Sequence, residues 1–114
     1  MLAVILSTYP TRAGARKAAG LAIEKRLAGC VLTIPVGSVY RWNPAINPSG
    51  YYGARGKVQN KKEVLAVFKT TKERAKQLMK FIGGHHPYKV PFVAAVPLGQ
   101  VSRRYQEWIK KEVR

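Results

Sequence analysis

The sequence predicts an α+β domain of ferredoxin-like type: a split β-α-β sandwich carrying a long β-hairpin and an additional C-terminal helix. Three observations predict it. Apolar residues alternate between strand-like runs and helix-like spacing in the order strand, helix, strand, strand, helix, strand, helix. The two middle strands follow one another through turn chemistry, so they pair as a hairpin. At 114 residues the chain can bury one core but not two ordinary ones, and residues 1–114 read as a single domain.

Each element has its own signal. Leu2-Ala3-Val4-Ile5-Leu6 is a short apolar run closed by Pro10, the pattern of a strand buried on both faces. From Thr11 the period changes. Ala15, Ala18, Ala19, Ala22, Ile23 and Leu27 fall at helical spacing, with Thr11 as N-cap and Gly29 near the end. Cys30 to Trp42 forms a long strand with a bend expected at Pro35-Val36-Gly37, and Lys57 to Thr71 forms its partner. Between them, Asn43 to Gly56 holds Pro44, Pro48, Ser49, Gly50, Gly53 and Gly56, a large hairpin tip. Ala75, Leu78, Met79 and Ile82 share one face of a second helix that starts near Thr71 and ends at Gly83-Gly84. Val90 to Leu98 is a strand whose Pro91 and Pro97 place it at an edge. Val101, Tyr105, Trp108, Ile109 and Val113 make the apolar stripe of a final helix. The helices are expected on one face of the sheet. Each hairpin arm is about twice the usual strand length, so its apolar edges call for a second subunit.

Composition narrows the function. An apolar content of 46% suits a globular protein, and no run reaches the length of a membrane span. Met1 to Leu6 lacks the basic start and cleavage site of a signal peptide, so a cytoplasmic location is expected. The single Cys30 cannot form an internal disulfide and reads as a small buried hydrophobe. There are 21 Lys and Arg against five acids, all Glu, for a net charge of +16. Such a balance favours anionic partners or a solvated basic surface.

Candidate chemistry concentrates at two places. His85-His86-Pro87-Tyr88-Lys89-Val90-Pro91 brings imidazoles, a phenol and two prolines into one connection. It reads either as the start of a metal site at His85 and His86 or as a joint that stops a helix and re-aims the chain into a strand. Tyr51 and Tyr52, with Arg55 and Lys57, interleave aromatics, glycines and cations at the hairpin tip, where stacking and phosphate contacts would serve an anion or a nucleic acid. Of the acids, Glu63 alone enters a strand, where a cross-strand ion pair is expected. Paired-carboxylate catalysis, a nucleophile elbow and a phosphate-binding Gly-rich loop are not built by these residues.

Taken together, Arg26-Leu27-Ala28-Gly29-Cys30-Val31, Ser38-Val39-Tyr40-Arg41-Trp42, Gly56-Lys57-Val58, Glu63-Val64-Leu65, Lys69-Thr70-Thr71, His86-Pro87-Tyr88 with Val90-Pro91, and Tyr105 with Trp108 resemble the CutA-type divalent-ion-tolerance family from Thr8 to Val113. The resemblance implies a ferredoxin-like subunit of a homotrimer paired through long hairpins, similar in architecture to the nitrogen-regulatory P-II proteins. It implies a cytoplasmic non-enzyme linked to tolerance of copper and other divalent ions, requiring no cofactor. It also implies a ligand cleft between subunits near Tyr40, Trp42, Tyr88 and Trp108.

The departures bear on the metal. Where some family members resemble a copper site of cysteine, histidine and glutamate, this chain has Ser7, His85 with His86, and Phe92. The thiolate and the carboxylate are missing, which leaves the imidazoles and Cys30 to hold a divalent copper weakly. Lys89 adds repulsion for a cation, Thr11-Arg12 replaces an acidic helix opening, and the hairpin turn is expanded over Asn43 to Arg55. The expectation is a weakened metal site on the family's trimeric scaffold, with a basic anion- or nucleic-acid-binding module as the alternative.

Overall fold

The computed structural model describes residues 1–41 and 57–114. In chain order the elements are β1 (Leu2–Tyr9), α1 (Arg12–Glu24), β2 (Cys30–Arg41), β3 (Val58–Thr71), α2 (Lys72–Gly84), β4 (Val93–Pro97) and α3 (Arg103–Glu112). The four strands form one antiparallel sheet in the order β2-β3-β1-β4. This is the α+β order read from the sequence. Trp42, expected to end the second strand, lies outside the described residues.

Strand alternation assigns the two faces. Ile5 lies opposite Phe68, Ser7 opposite Ala66 and Tyr9 opposite Val64, all on the face covered by α1 and α2. Ala15 and Ala22 of α1 and Leu78 and Ile82 of α2 close this core. Small alanines on α1 let the helix lie close to the sheet. Both helices begin on a hydroxyl cap: Thr11 Oγ1 accepts from Gly14 N at 3.0 Å, and Thr71 Oγ1 accepts from Arg74 N at 3.3 Å.

The opposite face carries Val4, Leu6, Leu32, Ile34, Leu65 and Val67. Here two expectations are corrected. β1 is fully buried on the helix face only, because Val4, Leu6 and Thr8 on the other face remain partly exposed. The third helix does not join the first two. It packs on this second face at one end, where Ile109 and Val113 meet Leu2, with Cys30 and Tyr105 alongside. The reason is parity: Leu2 and Cys30 point away from Ala3 and Val31, so the apolar stripe of α3 has its complement on the far side.

The α1 exit differs from the expected glycine stop. Arg26 takes the left-handed conformation, φ 60°, that closes the helix, while Leu27 N donates to Ala22 O at 2.9 Å. Its guanidinium is tied to Glu112 Oε2 at 3.0 Å. Gly29 serves another purpose. A Cβ there would come within 2.8 Å of Ile109 Cδ1, so the glycine admits the close approach of α3.

β4 starts at Val93 rather than Val90, after Pro91, and occupies the edge as expected. At the other edge, β2 keeps its register with β3 through Pro35, from Cys30 opposite Lys69 to Arg41 opposite Val58. β1 ends opposite Val64, so the pairs from Val36–Glu63 to Arg41–Val58 form a two-stranded arm beyond the sheet. The Cα radius of gyration, 15.3 Å, exceeds the value of about 13 Å usual for this chain length, as a projecting arm requires.

Gly29→Ala should destabilise the fold by about 1–2 kcal/mol by pushing Ile109 from its seat. Urea unfolding measures the loss, and unchanged stability would show that α3 docks without this close approach.

Candidate functional site at the α2 to β4 joint

α2 ends as His85 N donates to Ile82 O at 3.3 Å, and Pro87 prevents the helix from resuming. The two histidines then part in environment. The exposed His85 turns Nδ1 toward Phe81 O at 2.9 Å, and its ring tilts against Phe81 at a centroid distance of 4.4 Å. A carbonyl accepts only, so Nδ1 carries the proton and the Nε2 lone pair faces outward.

His86 is half-buried and its ring is committed at both nitrogens. Nε2–H donates to Thr8 O at 2.8 Å, while Nδ1 accepts from Tyr88 N at 3.1 Å. That pair of bonds selects one neutral tautomer. The ring stacks on Tyr9 at 4.5 Å and 24°, and Tyr88 tilts against it at 5.0 Å. Burial holds the imidazole below its ordinary pKa, against the opposing pull of Thr8 O and Glu63.

Tyr88 reaches past the end of β1 and donates from its hydroxyl to Glu63 Oε2 at 2.9 Å. Burial raises the phenol above its ordinary value, and the Glu63 hydrogen bond and charge add to the effect. The cross-strand ion pair expected of Glu63 is thus replaced by this bond. The residue opposite it on β2 is Val36, which offers no cation. Burial pushes the Tyr9 phenol up to about 12, partly offset by the neighbouring Ser7 hydroxyl, although Ser7 Oγ sits outside good hydrogen-bond geometry. The cluster keeps its phenols neutral and its imidazole uncharged near neutral pH.

The other residues singled out from sequence divide sharply. Tyr40 lies near enough to reinforce the upward push on Tyr88, so these two members of the expected cleft share one region. Trp108 does not join them. Its ring tilts against Tyr105, whose hydroxyl accepts from Lys69 Nζ at 3.0 Å, at the α3 end of β3. Lys69 and Glu63 are separated by six residues of strand, about 20 Å. Trp42, Tyr51, Tyr52 and Arg55 lie outside the described residues, and Lys57 is exposed just before β3.

Ser7 is wholly buried in the helix-side core, Cys30 lies beside α3, and Phe92 is half exposed. Among the described residues no group of three or more His, Cys, Asp or Glu is placed to hold a metal ion. His85 retains an outward lone pair, whereas His86 would have to give up its Tyr88 contact to ligate through Nδ1. The sequence reading missed Thr8 as an acceptor. A backbone carbonyl leaves no signal in residue type.

A four-stranded split β-α-β sheet with a projecting hairpin and a third helix on its second face defines the class as ferredoxin-like α+β. Within it, the chain belongs to the CutA1 divalent ion tolerance protein family, whose model matches residues 3–112. It is 33% identical over 109 residues to the divalent-cation tolerance protein CutA of Thermus thermophilus, covering 95% of this chain and 94% of that protein. It is also 33% identical over 112 residues to the chloroplastic protein CutA of Arabidopsis thaliana, covering 97% of this chain; the chain spans about half (55%) of that relative's length. Two solved structures are similar over the whole of both chains. They are the periplasmic divalent cation tolerance protein CutA from Archaeoglobus fulgidus, with a TM-score of 0.85 and 25% identity, and the Thermus thermophilus protein, with 0.82 and 32%.

Because His86 is held neutral, the stability it contributes is present above its unfolded pKa and lost as pH falls through its lower folded value. Urea unfolding at about pH 7.5 and about pH 5 should show wild type losing its advantage over His86→Gln on acidification. A difference independent of pH would separate this imidazole from the stability of the joint.

Proposed function

We propose that the protein is a homotrimeric divalent-cation tolerance protein that works by binding rather than catalysis. The observation that carries the proposal is the half-sheet left without a cover. Leu32, Ile34 and Val96 are exposed at 44, 42 and 40%, Leu6 and Val67 lie between them half-buried, and α3 screens only the far end. An apolar sheet face and a two-stranded arm are both poor structures for water, and further copies of the chain would cover them together. The number three follows from the family resemblance. In such an assembly Trp108 of one subunit can approach Tyr40 and Tyr88 of the next, completing the cleft that one chain leaves divided.

Binding rather than catalysis is supported by His86, the half-buried imidazole best placed to act as a base, whose nitrogens are both engaged. His85 is the residue that would hold a metal. Its Nδ1–H bond to a carbonyl is the support that orients a ligating imidazole, and it leaves Nε2 exposed for a divalent copper. With Ser7 buried and Phe92 apolar, such binding is weak. A cytoplasmic location belongs to the same proposal and agrees with the single free cysteine. The alternative, an anion- or nucleic-acid-binding module, draws on the net charge of +16 and on exposed Lys57.

Light scattering should return three times the chain mass of 12.7 kDa, with Ile34→Glu shifting the population toward single chains. A monomeric wild type would remove both the trimer and the cleft.

Copper calorimetry should show weak saturable binding that His85→Ala eliminates and His86→Ala retains, provided each variant stays folded by circular dichroism. Equal binding by wild type and His85→Ala would take the metal away from this histidine.

A further inference from the structure

At the start of α1, where β2 and β3 leave the main sheet, the structure has a cavity of 380 Å³ open on one side. Arg12 and Arg16, one turn apart on α1, line it from the helix, and Lys62 lines it from β3. Thr33 supplies a hydroxyl, while Pro35 and Val64 form an apolar wall. Strand alternation places Thr33, Pro35, Lys62 and Val64 on the same face as Ala66 and Phe68, so these side chains converge with α1.

The charges in this cavity are unbalanced. Among the described residues neither arginine nor Lys62 has a carboxylate within ion-pair distance; the pairs present are Arg26–Glu112 and Arg103–Glu107. Glu63 also borders the cavity, but its side chain belongs to the opposite face, where it accepts from Tyr88. The first turn of α1 contains no acid. Three like charges around one concavity repel each other, and the repulsion is relieved by an anion that all three can reach. The helix end adds amide donors to a site already defined by its cations.

We propose that this cavity binds a small phosphate-bearing anion. Two arginines offer planar forks suited to phosphate oxygens, Lys62 adds a movable ammonium, and Thr33 adds a neutral donor. A diphosphate matches the number of cations, and the volume lies within the range of small-molecule sites. The site shares no residue with the proposed His85 metal position. Its success or failure is therefore independent of copper binding at His85.

Calorimetry with metal-free protein and inorganic pyrophosphate at constant ionic strength tests the assignment. Saturable binding near one equivalent per chain is expected, with Arg12→Gln, Arg16→Gln and Lys62→Gln each weakening it by about tenfold. Lys110→Gln removes the same charge from α3 and should leave affinity unchanged. No saturable heat, or equal losses in all four variants, would overturn the proposal by showing at most a diffuse attraction to the net positive surface. Circular dichroism checks that the variants fold. Amide shifts in the wild type provide a readout without mutation: pyrophosphate should move Arg12 to Arg16 and Thr33, and shifts confined to other residues would also defeat the assignment.

Discussion

The pairing of β1 between β3 and β4 is the constraint on which the other features depend. Its register makes Ala3, Ile5, Ser7 and Tyr9 one row and Leu2, Val4, Leu6 and Thr8 the other, and the same parity passes to every strand beside it. The helix core, the seat of α3, the uncovered apolar face and the wall of the cationic cavity are all consequences of that parity. A slip of one residue would exchange them all.

The end of β1 is equally consequential. After Tyr9 the chain leaves β3, so Glu63 has no β1 neighbour beyond it and is reached by Tyr88 instead. His86 takes the preceding carbonyl, on Thr8. Two residues of the connection thereby secure the first strand's terminus from the helix side and from beyond its end. The same histidine that suggests metal chemistry by its type acts here as a bracket between α2, β1 and the start of β4, while its neighbour keeps a free nitrogen.

Much of this architecture could be read from residue order. Period changes located all seven elements because the apolar stripes of α1, α2 and α3 are regular and the hairpin runs are long. Thr11 advertised its cap, Thr71 marked the start of the second helix, and Pro97 advertised the edge. The family resemblance rested on motifs spread across the whole chain, which is why it survived the departures at Ser7 and Phe92. The face chosen by α3 was less visible, since an amphipathic stripe records that a helix is covered but not by which side of a sheet. Arg26 also concealed a helix stop, because its residue type gives no hint of a positive φ. At the joint, the identities of His86, Tyr88 and Glu63 were plain, but their connections run through Thr8 O and across 25 residues, distances that local patterning does not encode. The cationic cavity had a similar fate: Arg12, Arg16 and Lys62 look like scattered surface charge until the hairpin folds back beside α1.

Pro35 gives the outer edge of β2 a further property. It sits within a continuous ladder to β3, and a proline in that setting is accommodated with its missing amide on the open side. Any strand added along that edge meets a gap in the row of outward donors between Thr33 and Gly37. The edge thus offers two short docking segments in place of one uninterrupted template. A chain with so much exposed strand is thereby restrained from recruiting copies end to end into fibrils, while a partner shaped to bridge the gap can still attach.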